Sequence, residues 1–382
     1  MLSTRKRLLF TGLTTLAGLL VFLAAGEVYF RATRSHLDLD LLTGRNVYRN
    51  PMLAWARVDA FSAYTGVPST DGGTGSGGKT INSHGFIATP EMTLEKPENT
   101  VRIVFLGGSS TAGTGHDLRS ERTWPWIATE LLRSAVPETR IEFLNGALGG
   151  YSSFESLGRL WSRMRFFSPD VIVVYHGWNE LYYWNDRLLD NMLLWRTNPD
   201  GGWGFHEPVQ GVGLYEPLWL DRLISPSQFF SYLRIAVAST PSGELGSADP
   251  PASLGDAWDP RGVEVWRQNL RLLDAISGTL GATLFVAKQA TLITKDLPEA
   301  MRQRCKYELH GFDHDAHVAA YEALYRAIDE EIAPERVIDV SKISGIPEYF
   351  HDHVHPTEQG AEKIAEIVAR GVTNCVKAQP AR

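Results

Sequence analysis

The regular alternation of short apolar runs with longer amphipathic runs constrains the fold of this chain more than any other sequence feature. Five apolar, β-rich runs are predicted to be buried strands: Arg102–Leu106, Ile141–Asn145, Val171–Tyr175, Thr283–Ala287 and Arg336–Val340. Helical patterns between and after them cover about 121–136, 153–166, 261–279, 314–332 and 356–372. This alternation predicts an α/β fold, with a parallel five-stranded sheet between two layers of helices.

Four short segments carry reactive side chains near the ends of these strands. They are Gly107–Thr111, Asn145–Gly150, Gly177–Glu180 and Asp352–Pro356. The first three follow the first three strands, and the fourth opens the last helical pattern. In open parallel sheets, ligands bind outside the carboxyl ends of the strands. We therefore expect the four segments to form one site.

The first and fourth segments contain the residue types that acyl transfer to a nucleophile requires. Ser109 follows two glycines, which permit a tight turn and a close approach of substrate to the backbone. A serine hydroxyl becomes a good nucleophile when a base takes its proton, and His355 is the candidate base. Asp352 lies three residues earlier, so its carboxylate can reach the second ring nitrogen and fix the tautomer. A cap for the following helix is the alternative role of Asp352.

The second and third segments supply candidate donors for an oxyanion. We expect the backbone N–H groups of Ser109 and Gly150 and the side-chain amide of Asn179 to stabilise the negative oxygen of a tetrahedral intermediate. Taken singly, Gly150 is also typical of a turn and Asn179 of a loop. Trp178 and Tyr151 adjoin these donors and are predicted to contact the substrate.

Over roughly residues 100–372 the chain resembles the SGNH (GDSL-type) hydrolase superfamily of esterases and acyltransferases. The nucleophile block matches Leu106–Thr111, the second-block glycine matches Gly150, the third-block asparagine matches Asn179, and the Asp-x-x-His block matches Asp352 and His355. The resemblance implies a three-layer, flavodoxin-like fold with Ser109 as the nucleophile.

Two positions depart from the pattern of that superfamily. Gly108 and Glu180 stand where many members have Asp, which bears on the subfamily and leaves the catalytic set intact. Thr111 takes the place of the last glycine of the Gly-x-Ser-x-Gly elbow, so the pattern is not that of the α/β-hydrolases. The segment Asn82–Phe86 also resembles a lead-in of membrane-anchored members.

Alternating histidines raise a metal site as an alternative to the serine chemistry. His351, His353 and His355 alternate as metal ligands on a strand can. Zinc takes three or four nitrogen, sulfur or oxygen ligands from a protein, and no HExxH helix or carboxylate-rich motif accompanies these histidines. We therefore expect no metal and no cofactor, with His353 facing solvent or packing beside the site.

The N-terminal segment predicts a membrane anchor. The residues from Leu8 to Gly26 carry no charge, and the basic run Arg5–Arg7 precedes them. A helix of that length spans about 28 Å, close to the hydrocarbon thickness of a bilayer. The basic residues favour a cytoplasmic N-terminus and an extracytoplasmic (periplasmic or extracellular) remainder. A signal peptide cleaved near Ala24–Gly26 and a buried core helix are the alternatives.

The remaining composition suggests how the chain is divided. We expect a cytoplasmic tail at 1–7, an anchor at 8–30, a juxtamembrane segment at 31–99 with a Gly/Ser-rich stretch at 66–80, a catalytic domain at 100–376 and a tail at 377–382. A stretch rich in Gly, Pro and aromatic residues at about 184–260 predicts a cap-like insertion. Its tryptophans fit either a small core of the cap or a surface for sugar rings or an acyl chain.

These features together predict a membrane-anchored, extracytoplasmic serine esterase that acts through an acyl-enzyme. O-acetylated carbohydrate is the preferred substrate class, and a lipid or simple acyl ester is the alternative. An O-acyltransferase shares the chemistry, and a noncatalytic glycan-binding or assembly protein is the alternative of another class. A net charge of −7 argues against nucleic acid as a partner. Cys305 and Cys375 either pair in one disulfide or remain as two unpaired thiols.

Overall fold

The computed structural model describes residues 4–33, 56–59, 61–68, 79–113, 119–184, 223–238 and 254–379. Two short strands, β1 (Ala56–Asp59) and β2 (Ala63–Gly66), precede the main sheet in the chain. The main sheet contains β3 (Thr100–Gly107), β4 (Arg140–Asn145), β5 (Val171–Tyr175), β6 (Thr283–Ala287) and β7 (Val337–Ile338). All of its neighbouring strands pair in parallel, in the order β4-β3-β5-β6-β7. The predicted α/β class and five-stranded parallel sheet are confirmed, and the order is flavodoxin-like.

Nine α-helices lie wholly within the described residues. They are α1 (Thr4–Thr33), α2 (Ser109–Ala112), α3 (Trp124–Ala135), α4 (Ser153–Ser162), α5 (Gln228–Ala238), α6 (Arg261–Thr279), α7 (Glu299–Arg302), α8 (His314–Glu331) and α9 (Glu358–Ala378). From β3 to β4 the chain moves toward one edge of the sheet, and from β4 through β5 and β6 to β7 it moves toward the other edge. Right-handed crossovers therefore place α3 on one face of the sheet and α4, α6 and α8 on the other. In agreement, α9 packs against α3, while α4 and α8 pack against α6.

Polar residues determine where three of these helices begin. The Ser152 hydroxyl accepts the Phe154 N–H at 3.2 Å, and the Glu155 carboxylate accepts the Ser152 N–H at 2.8 Å, which is a capping box at the start of α4. Single side-chain N-caps begin the other two helices: Asp313 accepts the Ala316 N–H at the start of α8, and Thr357 accepts the Gly360 N–H at the start of α9. The helix starts near the carboxyl edge of the sheet are therefore fixed by local hydrogen bonds.

The fifth strand is shorter than its predicted bounds. It was predicted over Arg336–Val340, but β7 contains Val337 and Ile338 and pairs with the last two residues of β6. A 3-10 turn ends at Arg336, whose guanidinium is paired with Asp274, and another begins at Val340. The two 3-10 turns stand where extended backbone was predicted on either side of β7, so only two residues of the predicted run form a strand.

The described residues fall into two compact units, one containing α1 and α5 and the other containing the main sheet with its helices. Within α1, the stretch Phe10–Thr33 is long and apolar enough to cross a membrane, with a mean hydropathy of 1.7 and none of that stretch buried. Most of the predicted cap-like insertion, namely 185–222 and 239–253, lies outside the described residues, as do 34–55 and 69–78.

The two cysteines do not form a disulfide. Cys305 is a buried free thiol, and Cys375 is a partly buried one. Of the two alternatives that the sequence left open, the structure has two separate thiols.

Candidate active site

Ser109 is the first residue of α2, the short helical turn that directly follows β3. The strand ends at Gly107, and the Gly108 carbonyl accepts the Thr111 N–H at 3.1 Å, which closes the turn. Ser109 is partly exposed, whereas the other residues of the turn are buried. The fold thus presents one hydroxyl at the carboxyl edge of an inner strand, where open parallel sheets bind their ligands.

A continuous chain of hydrogen bonds joins Ser109, His355 and Asp352. His355 Nε2 lies 2.7 Å from Ser109 Oγ, and His355 Nδ1 lies 2.7 Å from Asp352 Oδ2. The other carboxylate oxygen of Asp352 accepts the backbone N–H groups of Val354 and His355, both at 2.9 Å. One carboxylate therefore holds both the imidazole ring and the loop that carries it.

The environment of Asp352 keeps its carboxylate charged. Burial alone raises the pKa of Asp352, but the hydrogen bonds from His355 and from the Val354 N–H bring that pKa below its ordinary value of 3.8. An ionised Asp352 favours the tautomer with the proton on His355 Nδ1. Nε2 is then the nitrogen that accepts the proton of Ser109.

Contacts on both sides fix the loop that carries His355. The His353 carbonyl accepts the Leu292 N–H at 2.9 Å and the Thr291 hydroxyl at 2.8 Å, from the segment after β6. Beyond the loop, the Thr357 hydroxyl accepts the Gly360 N–H at 3.1 Å as the N-cap of α9. Thr357, and not Asp352, is therefore the cap of this helix. The Asp352 carboxylate binds His355 instead.

The segments with the predicted oxyanion donors meet at the Ser109 turn. Asn179 Nδ2 donates to the Tyr151 carbonyl at 2.8 Å, which joins the loop after β5 to the loop after β4. A Cβ on Gly108 would lie 2.5 Å from Asn179 Nδ2 and 3.0 Å from the Tyr151 carbonyl oxygen. Only glycine at 108 permits this approach. Gly150 has a left-handed φ of 80°, and the second hydrogen of the Asn179 amide is suited to an oxyanion.

Glu180 is a buried acid to which the sequence reasoning gave no role in the site. It is 3% exposed, and its carboxyl group accepts the Ser153 N–H at 2.6 Å and the Ser153 hydroxyl at 2.8 Å. The Asn269 amide donates to the same hydroxyl at 2.8 Å. Burial raises the pKa of Glu180 to about 8, against the hydrogen bonds from Ser153, which lower it. The departure from Asp at this position was the signal that pointed to it.

Gln289 is a second residue of the site region that sequence reasoning missed. Its Nε2 donates to Ser110 Oγ at 3.1 Å, and its Oε1 accepts the Trp178 N–H at 2.6 Å. It therefore bridges the nucleophile turn and the loop of Asn179. Glutamine has no acid–base chemistry to attract attention, but its position two residues after β6, at the carboxyl edge, was an available signal.

Both side chains that were predicted to contact substrate are buried. Tyr151 is fully buried, and its hydroxyl donates to the Tyr64 carbonyl. Trp178 is 4% exposed, and its ring lies 3.7 Å from the ring of His353 and 4.1 Å from that of His310 between centroids. What these two residues present to the site is backbone: the Tyr151 carbonyl binds Asn179, and the Trp178 N–H binds Gln289.

His353, which lies two residues before His355, is packed as a neutral ring. His353 is 2% exposed, its ring centroid lies 6.0 Å from that of His355, and burial lowers its pKa to about 3. Among the residues that the structure describes, no group of three or more His, Cys, Asp or Glu side chains is arranged to hold a metal ion. His353 packs beside the site, which is one of the two positions expected for it.

Neither a protein-family model nor a curated relative matches this chain. Among solved structures it is similar to the acetyl xylan esterase AlAXEase (12% identity, TM-score 0.40, covering 71% of this chain and 100% of that one). It is also similar to an acetylxylan esterase from Geobacillus stearothermophilus (13% identity, TM-score 0.38, covering 74% of this chain and 96% of that one). A third similar structure is a lipase/acylhydrolase from Enterococcus faecalis (14% identity, TM-score 0.39, covering 74% of this chain and 100% of that one). At such low identity and TM-score, what the site does must be inferred from its own residues.

Proposed function

We propose that this chain is a membrane-anchored serine esterase in which Ser109 is the nucleophile, His355 the general base and acid, and Asp352 the orienting carboxylate. The observation that supports this assignment is the pair of 2.7 Å contacts on the two nitrogens of His355. A hydroxyl, an imidazole and a carboxylate in that order constitute the machinery of nucleophilic acyl transfer. No step of the reaction requires a cofactor.

The proposed reaction begins when Ser109 Oγ attacks the carbonyl carbon of an ester and its proton moves to His355 Nε2. The carbonyl oxygen becomes negative and is stabilised by the N–H groups of Ser109, Gly150 and Asn179. The intermediate collapses, His355 gives its proton to the departing alcohol, and an acyl-enzyme remains. Water then attacks the acyl-enzyme with His355 as base, which releases the carboxylic acid. Such general-base assistance contributes about 10²- to 10⁴-fold.

O-acetylated carbohydrate is the substrate class that we favour, in an extracytoplasmic location set by α1. The aromatic-rich insertion at about 184–260 supports this preference, although Trp195, Trp203 and Trp219 lie outside the described residues. The buried ring of Trp178 does not contribute a stacking face.

Covalent labelling tests the proposed chemistry. A fluorophosphonate probe reacts with activated serines, and we expect it to label the full-length chain in detergent at Ser109, as mapped by peptide mass spectrometry. Labelling should be lost in His355→Ala, which keeps the hydroxyl but removes its base. A folded wild-type protein without label at Ser109 would favour the noncatalytic glycan-binding alternative.

An acceptor assay separates hydrolysis from acyl transfer. Both reactions share the acyl-enzyme, and they differ in whether water or a sugar hydroxyl resolves it. We expect release of free acetate from an acetylated oligosaccharide at a rate that an unacetylated acceptor glycan does not change. Transfer of the acetyl group to the added glycan would identify an O-acyltransferase instead.

A further inference from the structure

The helix α1 binds the N-terminus of α5 through Glu27, the first charged residue after its apolar stretch. The Glu27 carboxylate accepts the backbone N–H groups of Gln228 at 3.0 Å and Phe229 at 2.9 Å. Arg31 bonds to Glu27 at 2.6 Å and donates to the Pro226 carbonyl at 2.9 Å. Since the first N–H groups of a helix lack partners inside it, Glu27 caps α5 from another helix.

Aromatic rings extend this contact along α1. The ring of Phe229 packs edge-on against Phe22 and Phe30, at 6.0 and 5.9 Å between centroids. Tyr232, one turn further along α5, stacks on Phe30 at 4.9 Å. A Cβ on Gly26 would lie 2.5 Å from the ring of Phe229, so the bare backbone at 26 admits this ring. The two helices are therefore joined by a specific interface.

The position of this interface along α1 determines how deep α5 would lie in a lipid bilayer that α1 spans. The charge-free stretch ends at Gly26, and a charged residue at the end of such a stretch lies near the lipid–water boundary. Phe22 lies five residues earlier, which is about 8 Å along the helix axis. The contact of Phe229 with Phe22 thus reaches the depth of about 5–10 Å at which surface helices bury their apolar face.

A second side of α5 is apolar and exposed. Phe230 and Leu233 are three residues apart and therefore share a face, with 37% and 46% of their surface exposed. The one charged residue of this helix, Arg234, lies four residues after Phe230 and so borders the same face, where its long side chain can reach toward the headgroups. The surface of α1 at the same depth is also apolar and exposed, with Val21 at 70%. Lipid that surrounds α1 there is the occupant that fits the exposed face of α5.

We propose that α1 is retained in the mature protein and that α5 is a second membrane-contacting element, docked on α1 with Phe230 and Leu233 in the lipid of the extracytoplasmic leaflet. Cleavage of a signal peptide near Ala24–Gly26 would remove Phe22, one of the two aromatic partners of Phe229 on α1. The inference rests on the proposed membrane placement and is independent of the esterase chemistry.

Spin-label accessibility in proteoliposomes tests the contact with lipid. Nitroxides are attached to Phe230→Cys and Leu233→Cys in a full-length variant whose two native cysteines are replaced by alanine, in vesicles of phosphatidylethanolamine and phosphatidylglycerol. Both labels should be relaxed more by oxygen than by a water-soluble nickel complex. The control is Leu272→Cys on α6, an exposed leucine (52%) of the other unit, which should show the reverse. Greater access of nickel than of oxygen at 230 and 233, or dipolar coupling that indicates a second copy at this face, would overturn the proposal.

A second measurement uses the unmodified chain, so it does not depend on the folding of a cysteine variant. A lipid that carries a photoreactive diazirine in its acyl chain is activated in the same vesicles, and adducts are mapped by peptide mass spectrometry. We expect adducts within 223–238 as well as within α1. Adducts in α1 alone would refute the lipid contact of α5 while leaving the anchor in place.

Two further results separate the parts of the proposal. The intact mass of the C-terminally tagged chain from bacterial membranes should include α1, and an N-terminus near residue 27 would refute both retention and the proposed anchoring. The label at 230 should become more mobile in Glu27→Ala, which removes the cap of α5, than in Glu27→Gln, which keeps an acceptor oxygen. Equal mobility in both variants and in the parent would show that Glu27 does not hold α5.

Discussion

The carboxyl group of Glu180 binds both the backbone N–H and the hydroxyl of Ser153, at 2.6 and 2.8 Å. Glu180 directly follows Asn179, and Ser153 is the first residue of α4, three residues after Gly150. This one contact therefore ties together the two loops that carry candidate oxyanion donors. Burial favours the protonated form of Glu180, because its histidine neighbour, His176, with Nδ1 3.8 Å from Glu180 Oε1, has a pKa lowered to about 3 by burial and is therefore neutral.

We expect stability to fall as the pH rises through the titration of Glu180. Its pKa is raised from 4.5 to about 8 by burial, so between these values the folded state binds a proton that the unfolded state has lost. Stability is fully present below about pH 4.5 and decreases up to about pH 8, by as much as about 5 kcal/mol. Urea unfolding from pH 5 to 9 measures this slope. Glu180→Gln keeps a neutral side chain and should flatten it; an unchanged slope would mean that Glu180 does not titrate in this range.

Replacing Ser109 should abolish turnover and preserve the fold. Ser109→Ala removes the attacking oxygen, so kcat for an acetyl ester should fall by at least about 10³-fold, with a change in Tm of no more than a few degrees. Ser110→Ala is the matched control, because it deletes the adjacent hydroxyl, which binds Gln289 instead of His355. If Ser110→Ala lost as much activity as Ser109→Ala, the assignment of the nucleophile would have to change.

Asp352→Asn should reduce catalysis through the tautomer of His355. An amide in place of the carboxylate can donate to Nδ1 and move the ring proton to Nε2, where it blocks acceptance of the Ser109 proton. The expected loss in kcat is about 10³- to 10⁴-fold, with KM nearly unchanged. Steady-state kinetics with a soluble acetyl ester measures it. A tenfold loss or less would indicate that Asp352 only shapes its loop.

Asp352 should also contribute to acid sensitivity. Its pKa is lower in the folded state than the unfolded value of 3.8, so its contribution to the free energy of unfolding is present above about pH 4 and is lost as the pH falls toward the folded value. Denaturation of wild type and Asp352→Asn between pH 6 and 3 tests this sign. The difference in stability between the two proteins should shrink at the acid end, and a difference that grows there would contradict it.

Asn179→Ala should weaken the stabilisation of the oxyanion. Loss of one donor typically reduces kcat by about 10²- to 10³-fold with little effect on KM. Asn82→Ala is a suitable control, because it removes another buried amide, which donates to the Pro90 carbonyl at 3.2 Å. That control should lower Tm and leave kcat within about twofold. Similar kcat values for Asn179→Ala and wild type would remove Asn179 from the donor set.

Activity should withstand strong chelators, because the proposed chemistry uses only protein groups. Incubation with EDTA or dipicolinate, followed by assay of ester hydrolysis, should leave the rate unchanged. His353→Gln should likewise retain the chemistry, since this ring packs against Trp178. A loss of activity that added zinc restores would favour a role for the alternating histidines as metal ligands.

Much of the architecture was predictable because its causes are local. The buried runs Val171–Tyr175 and Thr283–Ala287 have strand bounds identical to those predicted, since β-branched, aromatic and other apolar residues fill both runs. The predicted helix at 153–166 ends earlier, at Ser162, because a 3-10 turn over Met164–Phe167 leads to the left-handed residue Ser168. Propensity gave the type of each element more reliably than its end.

By itself the sequence determined the succession of strands and helices along the chain, the turn that presents Ser109 and the short-range contact between Asp352 and His355, because each depends on residues close in the chain. Only the tertiary structure decided that His355 meets Ser109 across 246 residues, that Gln289 and Glu180 tie the loops together, and that the rings of Trp178 and Tyr151 point into the core. These contacts follow from how the strands are ordered and how the helices pack. A local hydrophobic period does not carry that information, since the same pattern fits several strand orders.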